Sequence, residues 1–226
     1  MQVLNRDVLP LGGFAGLTEH RLVTDSRVFG RHKSEDTFNG HKNFVYLADA
    51  RFNPHGETRM HPHKEIDVIS VMLDGRISHE GSLEHGQSLN AGEVQVQRAG
   101  GEGFEHNEVN PDNSKNRMLQ IWVLPDEAGR AAGYKHYALN DNQVTRIYGG
   151  DKNQTQTFDS KTIIDIVQLN AGEEFEVGQT SLIYVATGEV KAQDNADVLT
   201  LGEGALIRSE YLKLNVSEQA QLIVVS

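Results

Sequence analysis

What most limits the folds open to this chain is its punctuation. Short apolar runs, many of them β-branched, are cut off again and again by Gly, Asn and Asp. Asn43-Phe-Val-Tyr-Leu-Ala-Asp-Ala-Arg-Phe52 reads as a strand that ends at the turn Asn53-Pro-His-Gly56. Asp67 to Leu73 runs into Asp74-Gly75, a hairpin signal, and Arg76 to His79 follows. Leu89 to Gln97 is a turn entering a strand, Phe104 to Val109 is another, and Arg117 to Val123 closes a first series. Long amphipathic helical patterns are lacking, and 22 glycines with 7% aromatic residues fit an all-β protein with many turns. Residues 1 to about 42 are broken by glycines and read as one or two short strands with covering loops.

The rhythm then repeats. Pro125 to Asn142 is a polar connector, after which strands are expected at Ile163–Leu169, Ser181–Ala186, Val190–Gln193, Ala205–Arg208, Tyr211–Val216 and Gln221–Val225. Turn glycines 75 and 92 in the first series match 188 and 204 in the second, so the halves look like copies of one small β-barrel. The expected domains are 1–135 and 136–226.

Chemistry concentrates in the first copy. In Met60-His-Pro-His-Lys-Glu-Ile-Asp-Val-Ile-Ser-Val71 the imidazoles of His61 and His63 are two apart on an extended strand and share a face. Pro62 has no N–H for a ladder, which places the pair at a strand start or a sheet edge. His106 and Glu108 repeat the spacing. Three imidazoles and a carboxylate suit iron, nickel, copper, cobalt or manganese, with open positions for substrate if the geometry is octahedral. Glu102 and Glu105 lie close by, but Glu108 shares a face with His106 while Glu105 and Asn107 turn away. His55, in the turn before this strand, reads as a loop residue or a neighbour of the ligands. His79 and His85 flank a hairpin and read as solvated, Trp122 reads as core, and Gly101 and Gly103 read as turn glycines. Val68, Ile69, Val94 and Val96 are expected to line the barrel mouth on whichever alternate positions face inward. All ten histidines lie at or before His136, so the second copy offers no imidazole.

Composition removes several alternatives. With no cysteine there is no disulfide, thiolate metal site, iron–sulfur cluster or cysteine nucleophile. A net charge of −11 without a Lys/Arg cluster argues against binding nucleic acid or anionic membrane. Neither a leader-like N-terminus nor a long apolar stretch is present, so a soluble cytoplasmic protein is expected.

The order His-x-His, Gly, Gly-Glu, His in short strands resembles the cupin superfamily. More closely, His61-Pro-His63-Lys with Asp67, Leu73-Asp-Gly75, Ala91-Gly-Glu-Val-Gln95, Ala99-Gly-Gly-Glu-Gly103, His106-Asn-Glu108 and Leu119-Gln-Ile-Trp-Val-Leu-Pro125 are similar to the pirin family, over nearly the whole chain. Lys64, Asp67 and Val96 depart from the usual family residues and leave the metal set intact. The resemblance implies two tandem cupin domains, the first holding one non-haem ion through His61, His63, His106 and Glu108, the second metal-free. The ion would be Fe(II) first, with Ni, Cu, Co, Mn or Zn as alternatives. It further implies a quercetin 2,3-dioxygenase, which opens the central flavonol ring with O2 and releases carbon monoxide; Glu108 would double as proton acceptor. The rival implication is a metal-binding regulator of a protein partner, without turnover. A monomer is expected.

Overall fold

The computed structural model describes residues 1–139 and 144–226. The chain forms β1 (Gln2–Asn5), β2 (Gly12–Phe14), β3 (Leu17–Thr24), β4 (Phe44–Phe52), β5 (His61–His63), β6 (Asp67–Asp74), β7 (Arg76–Gly81), β8 (Gln87–Asn90), β9 (Glu93–Arg98), β10 (Phe104–Val109), β11 (Arg117–Val123) and β12 (Gly133–Ala138). A single turn of α-helix, α1, spans Ser26–Phe29. The second series comprises β13 (Val144–Gly150), β14 (Ser160–Leu169), β15 (Glu174–Val177), β16 (Ser181–Thr187), β17 (Glu189–Gln193), β18 (Val198–Gly202), β19 (Ala205–Ser209), β20 (Leu212–Asn215) and β21 (Ala220–Val225). The protein is all-β, in antiparallel sheets, as the turn spacing requires. Among the described residues no helix is long and apolar enough to cross a membrane.

Residues Leu9–Leu139 form one compact unit, and Met1–Val8 with the described residues from Val144 onward form the other. In the first unit a sheet ordered β12-β9-β6-β11-β4-β3-β2 faces a smaller one ordered β5-β10-β7-β8. In the second, β1-β19-β16-β21-β14-β13 is matched by β15-β20-β17-β18. Apart from β2, which has no counterpart among the described strands of the second unit, the order is the same strand for strand, so each unit is one copy of a single jelly-roll plan. The hairpins β6–β7 and β16–β17 turn on Gly75 (φ +69°) and Gly188 (φ +80°), left-handed backbone at the same point of each copy.

The repeat also corrects two expectations. Much of the polar stretch from Pro125 is no connector: Gly133–Ala138 is β12, an edge strand paired with β9. Residues 140–142 of that stretch lie outside the described residues. β1, expected to help cover the first domain, instead pairs with β19 and supplies the second unit's edge. Both are short edge strands with polar outer positions, which carry little hydrophobic periodicity.

Alternation decides which residues meet inside the first unit. β11 pairs β4 and β6, with Gln120 opposite Ala48 and Ser70, and Trp122 opposite Tyr46 and Val68. These residues line the interior face; Leu119 and Ile121 point the other way. The interior is divided. Leu17, Ala50, Phe52, Met72, Ile77, Leu89 and Met118 make an apolar floor, Val68, Ala99 and Phe104 a second patch, and polar groups lie elsewhere. The second unit is filled with hydrocarbon, including Val177, Ala192, Leu212 and Leu214 from its smaller sheet.

Candidate metal centre

His61 and His63 sit on β5, the edge strand of the smaller sheet, with Pro62 exposed between them. β5 pairs with β10 so that His61 is opposite His106 and His63 opposite Phe104. Three imidazoles therefore meet on one face of two short strands. Their candidate ligand nitrogens all lie within 4.8 Å of one another. His106 Nε2 is 3.2 Å from His61 Nε2 and 3.2 Å from His63 Nε2.

The donor chemistry fits a cation. His61 Nδ1 donates to the Arg59 carbonyl at 2.7 Å, so in the neutral ring Nε2 carries a lone pair. Burial and the neighbouring His61 push His63 down to about 4. Burial first, then His63, His61 and His79, push His106 down to about 2. One proton cannot satisfy both contacts of His106 Nε2. One ion can: imidazole nitrogens each about 2.1 Å from a metal and roughly 90–110° apart stand about 3.0–3.4 Å from each other.

Glu108 lies on β10 with His106, two residues on. Its carboxylate is not in the group of three, which among the described residues comprises the imidazoles. Oε1 accepts from Ser70 Oγ at 2.6 Å and Gln95 Nε2 at 2.8 Å, while Oε2 is buried without a partner. Burial pushes this carboxyl up to about 7, against the hydrogen bonds from Ser70 and Gln95.

Several neighbours escaped the sequence reading. His79, expected to be solvated, is fully buried on β7 opposite Glu108, and its ring centroid is 5.6 Å from that of His106. Its Nδ1 donates to the Glu84 carbonyl at 3.1 Å, leaving Nε2 to accept from Gln97 Nε2 at 2.9 Å. Gln95 and Gln97, not Val94 and Val96, face inward; register puts Ile69, Val94 and Val96 on the opposite face, and Val68 alone of the four faces in. Polar residues alternating with valine in Glu93-Val-Gln-Val-Gln97 were the available signal, since a strand buried on both faces places only its polar residues where something needs them. Tyr134 on β12 donates its hydroxyl to Gln95 Oε1 at 3.4 Å. His55 is exposed and donates to Asn113 Oδ1 at 2.7 Å, and His85 is exposed as expected.

Gln95→Leu keeps the side chain's bulk and removes the donor to Glu108. With Glu108 as the fourth donor proposed below, metal affinity measured by titration is expected to fall about 10–100-fold, the range for loss of a partner that orients a ligand.

Above the imidazoles lies a cavity of about 30 Å³, bounded by Glu19, Tyr46, Thr58, His61, His63 and Trp122 among others. Trp122 stacks on Tyr46 with centroids 4.4 Å apart and stands 6.0 Å from His63. Trp122 is thus half core and half cavity wall.

The pirin family model matches residues 19–123, the stretch that carries the three imidazoles, Glu108 and the groups around them except Tyr134. A protein of Zymomonas mobilis, provisionally named a quercetin 2,3-dioxygenase, is 36% identical over 211 residues, 87% of each chain. The chain belongs to the pirin family. A second relative, from Pseudomonas aeruginosa and provisionally given the same name, is 28% identical over 73% of this chain and 75% of its own. Among solved structures, the Escherichia coli bacterial pirin in complex with nickel(II) has a TM-score of 0.83 at 17% identity, covering 99% of this chain and 97% of that one. A quercetin 2,3-dioxygenase from Acinetobacter baumannii follows at TM-score 0.69 and 18% identity, covering 100% and 85%. At such identities these two structures speak for the fold, and the pirin fold is the one seen here.

Proposed function

We propose that this pirin is a metal-dependent oxygenase of the quercetin 2,3-dioxygenase kind, opening a flavonol ring with O2. His61, His63 and His106 would hold one divalent ion per chain, Fe(II) by first choice, with Glu108 as the fourth donor. The observation that carries the reading is the convergence of three imidazoles inside a barrel, with His106 Nε2 at 3.2 Å from the Nε2 of each of the other two. The names of the relatives support the substrate class. A bound ion of this donor set supplies Lewis acidity toward a substrate hydroxyl and open positions for small ligands. The protein's own part is to orient and to hold a proton. Ser70 and Gln95 fix Glu108 through Oε1, so that Oε2 is the atom proposed to take the proton of the substrate hydroxyl. Phe104, 5.2 Å from both His63 and His106, shields the rings from water.

One observation favours a second reading, a regulator whose metal sets its surface for a protein partner. The cavity at the imidazoles, about 30 Å³, is far below the ~300 Å³ that organic ligands usually occupy. The test is anaerobic reconstitution with Fe(II), then aerobic consumption of quercetin with parallel O2 uptake. Turnover that disappears in His61→Ala supports the oxygenase. Stoichiometric metal with no turnover transfers the assignment to the regulator.

A further inference from the structure

Glu19 lies on β3 with 2% of its side chain exposed, and it lines two separate spaces in the first unit. One is the small cavity against His61, His63 and Trp122. The other is a pocket of about 340 Å³ walled by Gly12, Gly13, Arg21, Thr24, Ser34 and Thr37 as well as Glu19. Among the described residues Glu19 is the one common to both linings.

Its carboxylate is the partition. Arg21 Nε donates to Oε1 at 2.7 Å, and the Tyr46 hydroxyl donates to Oε2 at 2.9 Å. Tyr46 stacks on Trp122, which reaches His63, so an unbroken series of contacts runs from the larger pocket to the imidazoles. Trp122 Nε1 is buried without a hydrogen-bond partner, an unused donor in the wall of the small cavity. Size divides the labour. About 340 Å³ suits a small organic molecule, whereas about 30 Å³ is the volume of roughly one water.

We propose that the 340 Å³ pocket admits and holds a planar polyhydroxylated aromatic molecule, and that Glu19 is the gate between it and the cavity beside His61 and His63. The inference rests on the oxygenase reading and supplies the room which the small cavity lacks. Gly12 and Gly13 present backbone without side chains to a flat ring, and the Ser34 hydroxyl, which accepts from Asp36 N, keeps its hydrogen for the ring's oxygens, while the Thr24 and Thr37 hydroxyls bond each other in the wall. At the gate a ligand O–H replaces the Tyr46 O–H on Glu19 Oε2. The buried carboxylate keeps a donor throughout, and the displaced Tyr46 hydroxyl, itself buried, takes an oxygen of the ligand as its new acceptor. The same carboxylate disfavours anionic ligands.

Trp122 is the single tryptophan, so its fluorescence reports arrival at the small cavity. Quercetin titrated into the metal-loaded protein is expected to quench it saturably. An added Cβ at Gly12 meets only the Glu19 carbonyl oxygen, at 3.7 Å, so Gly12→Phe is expected to fold and to narrow the pocket. It should weaken quenching by at least ~10-fold at unchanged metal content; Glu19→Gln, which removes the charged acceptor, should weaken it roughly tenfold. Equal affinity in Gly12→Phe and wild type would overturn the pocket, and equal affinity in Glu19→Gln would overturn the gate, both leaving the oxygenase standing. A wild-type protein with turnover but no saturable quenching overturns the inference alone. Neither quenching nor turnover overturns the oxygenase with it.

Discussion

Replacing His106 by alanine is expected to lower affinity for Fe(II) or Ni(II) by about 100-fold or more, leaving purified protein with almost no metal. Losing a group that merely orients a ligand costs 10–100-fold, and His106 would be a ligand itself. It is also the central one, with its Nε2 at 3.2 Å from each of the other two. Only 1% of the residue is exposed, and burial disfavours its protonated form, so an ion meets a ring without a cationic charge. The alanine variant leaves a void beside Phe104; His106→Gln keeps most of the volume and should lose metal as well. Glu108→Gln is expected to keep the ion at reduced affinity, because the three nitrogens remain. Elemental analysis and nickel titration measure both effects. A Trp122 fluorescence melt shows whether each variant is folded.

Asp49→Ala is expected to destabilise the first unit by about 3–5 kcal/mol, the usual cost of removing one partner from a buried ion pair. Asp49 is wholly buried on β4. Arg117 on β11 donates to it from Nε at 3.1 and 3.2 Å and from Nη2 at 2.6 Å, and Arg51 Nη1 donates at 3.2 Å. Alanine leaves the mostly buried Arg117 guanidinium facing a methyl group. Replacing Asp49 together with the more buried arginine, Asp49→Leu with Arg117→Met, removes the buried stranded charge and leaves only Arg51, whose side chain is 33% exposed, so it should cost less than the single change. Urea unfolding followed by Trp122 fluorescence reads the difference, since Trp122 lies on the same strand as Arg117. A single variant as stable as wild type would show that the pair contributes nothing to this unit.

How much of this was legible in the sequence follows from how strongly each segment alternates. Arg117–Val123 and Phe104–Val109 are strands with the bounds read from their residues, because turn residues close both ends. The His-x-His spacing sufficed to bring His61, His63 and His106 together, since the two-residue period of a strand leaves no other face. β3 was less visible: Glu19, His20 and Arg21 interrupt its apolar run, and Glu19 is buried for reasons that lie on β4 and at the cavity. His79 looked like a hairpin residue in solvent, yet two pairings across β7 carry it inside. For Gln95 and Gln97 the alternation was plain, but a strand buried on both faces does not say which face holds the site. Glu108 had the right face and period. What strand periodicity cannot express is the grip of Ser70 and Gln95 on one of its two oxygens.

X-ray absorption at the metal edge of the nickel- or iron-loaded protein tests the centre most directly. The expected result is one ion per chain with three imidazole nitrogens and a carboxylate oxygen at about 2.0–2.2 Å, losing one imidazole in His63→Ala. A first shell with fewer than three imidazoles, or a spectrum unchanged in His63→Ala, would contradict it.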